Sequence, residues 1–228
     1  MRRFFCALVS VAFLGTVLIG QTLEERVKVI KKVPTTHKVV ALTIDDGPHR
    51  ETTPQVLATL REKNVKATFF VMGKNAEAHP HLLLEVAAEG HEIGNHAYSH
   101  RLLTKMNPEE IAAELNKGEE ILLLTGQKPQ LFRPPGGAYN EEVLTQARNR
   151  GYSTILWCID PGDWRRPSVE QVVNNVMGAV KPGSIILFHD GQHSLPTARA
   201  IGMIVDKLRF QGYEFVTVSE LLQYYEER

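Results

Sequence analysis

Short apolar runs that alternate with longer amphipathic segments constrain this chain more than any other feature. The runs fall at 39–45, 66–71, 92–95, 131–133, 154–160, 184–189 and 215–218. The amphipathic segments fall at 54–63, 81–89, 108–124, 141–150, 169–180, 196–210 and 220–225. A strand followed by a helix, repeated without interruption, predicts βα units around a largely parallel sheet that is covered by helices. Several boundaries carry their own signals. Asn107 precedes Pro108 as an N-cap, Gly126 follows the same helix, and Ser168 and Ser219 stand where caps for their helices are expected. The pattern shows no internal sequence repeat, and 228 residues with 43% apolar content suit one barrel-like or open α/β domain.

Charge narrows the function. Lys plus Arg and Asp plus Glu are both 26, so no basic surplus points to nucleic acid or to an anionic membrane surface. The two cysteines are Cys6 and Cys158, so the folded domain keeps a single thiol and no internal disulfide; Cys158 is expected as a buried strand residue. At the amino terminus, Arg2 and Arg3 precede an apolar run from Phe4 to Gly20. Residues 1–20 therefore read as a signal peptide or an N-terminal anchor that sends the rest of the chain across a membrane, and the poor cleavage site at Leu18-Ile19-Gly20 leaves both readings open. Residues 21–37 read as a linker, and 38–228 as the folded domain. Secretion or residence in the cell envelope follows, with membrane contact only through an uncleaved N-terminal segment, and a monomer is expected.

Polar residues collect where the runs end: Asp45 and Asp46, His96 and His100, Arg133, Asp160 and Asp163, His189 and Asp190. In a parallel barrel these ends share one rim. Asp45-Asp46-Gly47-Pro48 puts two carboxylates into a turn, which taken alone is ordinary turn chemistry. His96 and His100 are spaced i, i+4, so that on a helical turn both imidazoles face one side and can grip one metal ion. Adding one carboxylate of the pair gives two imidazoles and an oxygen. That set suits a catalytic Zn²⁺ with an open position, or six-coordinate Co²⁺, Ni²⁺ or Fe²⁺. Spacing does not decide which aspartate is the ligand.

Thr43 to Pro48, His96 to His100, Arg133 to Gly137, Asp160 to Trp164 and Leu187 to His189 occur in the order seen in the polysaccharide deacetylase family, which this chain resembles from about Lys38 to Tyr225. The resemblance implies a single-domain α/β fold, a distorted (β/α)7-type barrel. It also implies metal-dependent removal of N-acetyl groups from an N-acetylated glycan such as chitin, chitooligosaccharide or peptidoglycan. Carried over residue by residue, it makes Asp46, His96 and His100 the ligands of one divalent metal ion, Zn²⁺ foremost, and Asp45 the catalytic base. Arg133 then holds the base, His189 is the general acid, and Asp163 positions that imidazole. Gly136 is expected to offer a backbone N–H to the oxyanion, Leu187 to line the acetyl pocket, and Trp164 and Tyr139 to wall the groove, with Trp157 in the core.

Two departures stand out. Ala97 replaces the family's usual Ser or Thr, so the histidine loop is expected to be looser, and Gly136 stands where an aromatic is common, so one groove wall is expected to be missing. His37, His49, His79, His81, His91 and His193 are read as surface or structural, with His49 and His193 near enough to the rim to support the site. A hydrolase of small non-sugar amides and an inactive glycan-binding module are the competing readings.

Overall fold

The computed structural model describes residues 28–227; the expected signal or anchor, 1–20, and the first part of the expected linker, 21–27, lie outside them. The centre of the sheet is β1 (Val39–Asp45), every residue of which is buried. Around it stand β2 (Thr68–Val71), β3 (Glu92–Asn95), β4 (Leu131–Phe132), β5 (Ser153–Thr154), β6 (Ile185–His189) and β7 (Glu214–Phe215). The seven strands run in the order β5-β4-β3-β2-β1-β6, with β7 against the start of β1, and all the pairings are parallel. The register places Asp45 beside Phe70 on one edge and beside His189 on the other.

Period-2 alternation sorts β1 into two faces. Val40, Leu42 and Ile44 face the helices α1 (Thr52–Glu62), α6 (Val169–Ala179) and α7 (Thr197–Phe210), where they join Val56, Leu57, Leu60, Val173 and Ile201 in the larger core. Each fully buried large aliphatic or aromatic side chain there contributes about 1.5–3 kcal/mol. Val39 and Ala41 face the barrel interior with Phe70, Leu131, Ile155 and Ile185. Thr43 and Asp45 continue that inward face toward the C-terminal rim.

The barrel closes irregularly. The strand expected over 154–160 exists as β5 only to Thr154; beyond it, Ile155 and Ile159 make isolated bridges and Cys158 sits in a bend. Ile159 pairs with Ile186 of β6, which closes the ring through one residue rather than a ladder. The distortion exposes Cys158, contrary to the buried position expected for it.

The expected linker is also corrected where it is described. Ile30 and Val33 are 2% and 1% exposed, Ile30 bridges to Ile155, and Lys32 bridges to Ser184, so these residues lie across the gap between β5 and β6. Covering that gap satisfies edge groups that an open sheet leaves unpaired.

Five further helices complete the fold: α2 (Gly73–Ala78), α3 (Pro80–Ala88), α4 (Pro108–Leu122), α5 (Glu141–Arg148) and α8 (Val218–Leu222). Helix α2 was not expected. Asn107 caps α4 through a capping box with Glu110, and Ser168 caps α6. The cap of α8 is Thr217, boxed with Glu220, rather than Ser219.

Candidate active site

Arg133, at the end of β4, is wholly buried and has every arm of its guanidinium engaged. Nη1 donates to Asp45 Oδ1 at 2.6 Å and to Thr43 Oγ1 at 2.9 Å, while Nε and Nη2 donate to the carbonyls of Ile155 and Leu156 at 3.2 and 3.0 Å. The cation also lies 4.0 Å from the centre of the Phe70 ring. A buried charge is tolerated when it is paired and fully hydrogen-bonded. The result is a carboxylate at the rim with one oxygen clamped.

Asp46 sits beside it in a left-handed conformation, φ 78°, and its amide donates to Phe70 O at 3.2 Å. That turn aims the two neighbouring carboxylates into one cavity. Asp46 Oδ1 lies 3.4 Å from His96 Nε2 and 3.2 Å from His100 Nε2, yet it is buried without a hydrogen-bond partner. Three donor atoms from Asp46, His96 and His100 lie within 4.8 Å of one another. His96 Nδ1 is bonded to Arg133 O at 2.7 Å, which directs Nε2 at the cluster in the manner of a metal-ligating imidazole. Burial alone would raise the Asp46 pKa, but the close His96 imidazole, with His100 and His189, brings it to about 2. An orphaned carboxylate oxygen between two imidazole nitrogens fits a divalent cation, and two nitrogens with one oxygen suit Zn²⁺.

The loop does not use the expected helical turn. Ala97 and His100 have φ 59° and 60°, and the two imidazole rings meet edge to face at 5.1 Å. It is not loosened at Ala97 either, since the Ala97 amide donates to Asn95 Oδ1 at 2.8 Å.

Across the rim, the buried Asp163 accepts from His189 Nδ1 at 2.9 Å, from the His189 amide at 2.9 Å and from Thr197 Oγ1 at 2.6 Å. Nδ1 therefore carries a proton toward Asp163 and leaves Nε2 free for chemistry. Burial pulls the His189 pKa down, but the hydrogen bond and charge of Asp163, aided by Asp45 and Asp46, raise it to about 9.

Asp45, Asp46, His96, His100, Gly136, Leu187, His189 and Trp164 meet around one cavity of about 350 Å³. Tyr139 does not line it and stands 39% exposed. Trp157, expected in the core, packs against the inner cluster as a partly buried residue and also lines the cavity; a Cβ on Gly137 would come 2.8 Å from its ring, so the missing side chain makes room for the indole. An aromatic wall is thus supplied from another segment. Asp160 and Gln192 also line the cavity and were not expected there, although Asp160 stood among the strand-end polar residues. His49 and His193 do not line it.

Comparison with known proteins agrees with this geometry. The family model for polysaccharide deacetylase matches residues 32–155. A peptidoglycan-N-acetylglucosamine deacetylase of Bacillus cereus is 42% identical over 210 residues, covering 91% of this chain and 99% of the relative. The crystal structure of a peptidoglycan N-acetylglucosamine deacetylase in complex with a naphthalenyl N-oxidanyl-benzamide superposes with TM-score 0.84 at 40% identity, covering 90% of this chain and 97% of that chain. A CE4 family pseudoenzyme from Bacillus anthracis superposes with TM-score 0.82 at 31% identity, over 87% of this chain and 70% of that chain. With the matched segment taking in the β1 turn, the histidine loop and Arg133, this chain belongs to the polysaccharide deacetylase family.

Proposed function

We propose that the protein removes N-acetyl groups from N-acetylglucosamine-type units of a cell-wall glycan outside the cytoplasm, with Asp46, His96 and His100 holding one divalent ion, Zn²⁺ foremost. The observation that carries this reading is the unpartnered Asp46 Oδ1 between two imidazoles, in the same cavity as the Asp45–Arg133 and His189–Asp163 pairs. The residues fit the ion, which when bound supplies Lewis-acid polarisation of the acetamide carbonyl and a more acidic water. Asp45, whose Oδ1 is clamped by Arg133, takes the proton from the attacking water at Oδ2. The Gly136 N–H is assigned to the oxyanion, and Leu187 to the acetyl methyl. His189 Nε2 delivers a proton to the departing amine, while Asp163 holds the ring from behind. Trp164 and Trp157 offer faces on which a sugar ring can stack.

The fold alone does not separate an enzyme from an inactive relative, as the pseudoenzyme neighbour illustrates. The Asp45–Arg133 and His189–Asp163 pairs and the Asp46, His96 and His100 cluster support the enzyme over an inactive glycan-binding module. Among the described residues no helix is long and apolar enough to cross a membrane.

The test is mass spectrometry of peptidoglycan fragments and N-acetylglucosamine oligomers after incubation with the protein, with and without chelator. Loss of an acetyl group that chelation abolishes is expected. No loss from either substrate, or loss indifferent to chelation, would overturn the reading.

A further inference from the structure

The segment that carries His96 and His100 holds two non-glycine residues, Ala97 and His100, in the left-handed region. Such a conformation costs about 1–2 kcal/mol for each L-residue, so the loop keeps this shape only if its surroundings impose it. The hydroxyl common after the first histidine in the family is absent at Ala97. The imposing contacts come from elsewhere.

Every amide between the two histidines has a side-chain acceptor. Ala97 N donates to Asn95 Oδ1 at 2.8 Å; Tyr98 N and Ser99 N both donate to Glu114 Oε2, at 3.1 and 2.8 Å. Ser99 Oγ donates to Glu114 Oε1 at 2.6 Å, so a single carboxylate accepts three hydrogen bonds from two consecutive residues. The carbonyls on the other side are also held: Ala97 O and Tyr98 O accept from Gly73 N and Lys74 N at 2.9 Å each. Glu114 projects from α4, which presses against the loop at Gly118, where a Cβ would meet Asn95 Oδ1 at 2.8 Å and the Ala97 carbonyl carbon at 3.2 Å. Glu114 does not line the catalytic cavity.

We propose that Glu114 is a positioning residue for the metal site: its carboxylate sets the spacing of the two ligand imidazoles before any ion arrives. This rests on the ligand assignment proposed above. The carboxylate accepts all three bonds, and removing it leaves the Tyr98 and Ser99 amides and the Ser99 hydroxyl without their acceptor. A loop left free would have to be ordered at the moment of binding, and that cost appears as lost metal affinity. A brace that serves only folding would instead lower thermal stability and leave the affinity of the folded protein unchanged.

The experiment is a competition titration of Co²⁺ and Zn²⁺ against a chromophoric chelator, on the full chain and its variants, with thermal unfolding of each metal-free protein in parallel. Glu114→Ala is expected to bind both ions about 10–100-fold more weakly, the range seen when partners of metal ligands are removed. Ser99→Ala, which deletes one bond of the three, is expected to show a smaller loss. Glu77→Ala is the control: among the described residues Glu77 accepts from the Tyr98 hydroxyl alone, at 2.7 Å, and its replacement should leave affinity within twofold. The Co²⁺ visible spectrum of Glu114→Ala should also broaden as the ligand set loses its fixed spacing. Affinity within twofold of the parent in both Glu114→Ala and Ser99→Ala, or an equal loss in Glu77→Ala, would overturn the proposal. Absence of metal binding by the parent protein would instead overturn the ligand assignment itself.

Discussion

Asp45 and His189 stand opposite each other in the β1–β6 register, so the proposed base and the proposed acid share one ladder and are fixed by different partners. Asp45→Asn keeps the shape of the clamp but cannot take a proton; it is expected to retain metal and to lower kcat about 10²–10⁴-fold, read by steady-state kinetics beside elemental analysis. Asp163→Asn tests the acid. With Asp163 the His189 pKa is raised from 6.5 to about 9, so the stability that its protonation contributes is complete below about 6.5 and is lost as pH rises through about 9. Without that carboxylate, burial is left to pull the imidazole down, and the alkaline limb of kcat against pH should move about 1–3 units lower. An unmoved limb would assign the proton donor elsewhere. Their roles rested on the family resemblance, but as rim positions these residues were legible in the sequence, because polar side chains collect where the apolar runs end. Trp157 was not, because the sequence continues an apolar run past Thr154 while the backbone leaves the ladder and turns the indole into the cavity.

The turn after β1 shows how one element presents two carboxylates. Asp190, at the end of β6, is fully buried; its amide donates to Asp45 O at 3.0 Å and its carboxylate accepts from the Thr53 hydroxyl. Burial raises the Asp190 pKa, the Thr53 hydrogen bond notwithstanding, to about 7. A Cβ on Gly47 would run into that carboxylate, which is why the turn needs glycine there although its φ is not positive. Gly47→Ala should therefore cost about 1–3 kcal/mol by overpacking and weaken metal binding as Asp46 shifts; urea unfolding and metal titration measure the two effects, and a loss of neither would show that the turn can yield. Helix ends followed the same logic of local chemistry. Asn107 and Ser168 were readable as caps, whereas Thr217-Val218-Ser219-Glu220 contained a capping box that placed the cap two residues before the expected one. Helix α2 escaped notice because six residues starting at a glycine carry too little periodicity to stand out.

On the scale of the whole molecule, the alternation of runs revealed parallel βα units but not how the ring is completed, because closure rests on isolated bridges at Ile30 and Ile159 that have no repeating pattern. The Ile30 bridge reaches the active site indirectly. Ile30 N donates to Thr154 O at 2.9 Å and Leu156 N donates to Ile30 O at 2.7 Å, which fixes the segment whose Ile155 and Leu156 carbonyls hold the Arg133 guanidinium. From residue 30 the constraint thus passes through 154–156 and the Arg133 side chain to Asp45. The candidate metal ligands lie on the turn after β1 and on the loop after β3; His96 meets Arg133 only at its backbone carbonyl, which the β3 pairing holds, and not at the guanidinium that residues 154–156 fix. Ile30→Ala removes a side chain that is 2% exposed and is expected to cost about 2–5 kcal/mol of stability. At temperatures where the variant is folded, a shifted 154–156 segment should lower kcat while metal affinity stays at the parent value. Urea unfolding, metal titration and kinetics on one preparation separate the effects. Unchanged unfolding would place residues 30–33 outside the cooperative unit, and a kcat equal to the parent would cut the link from that bridge to Arg133.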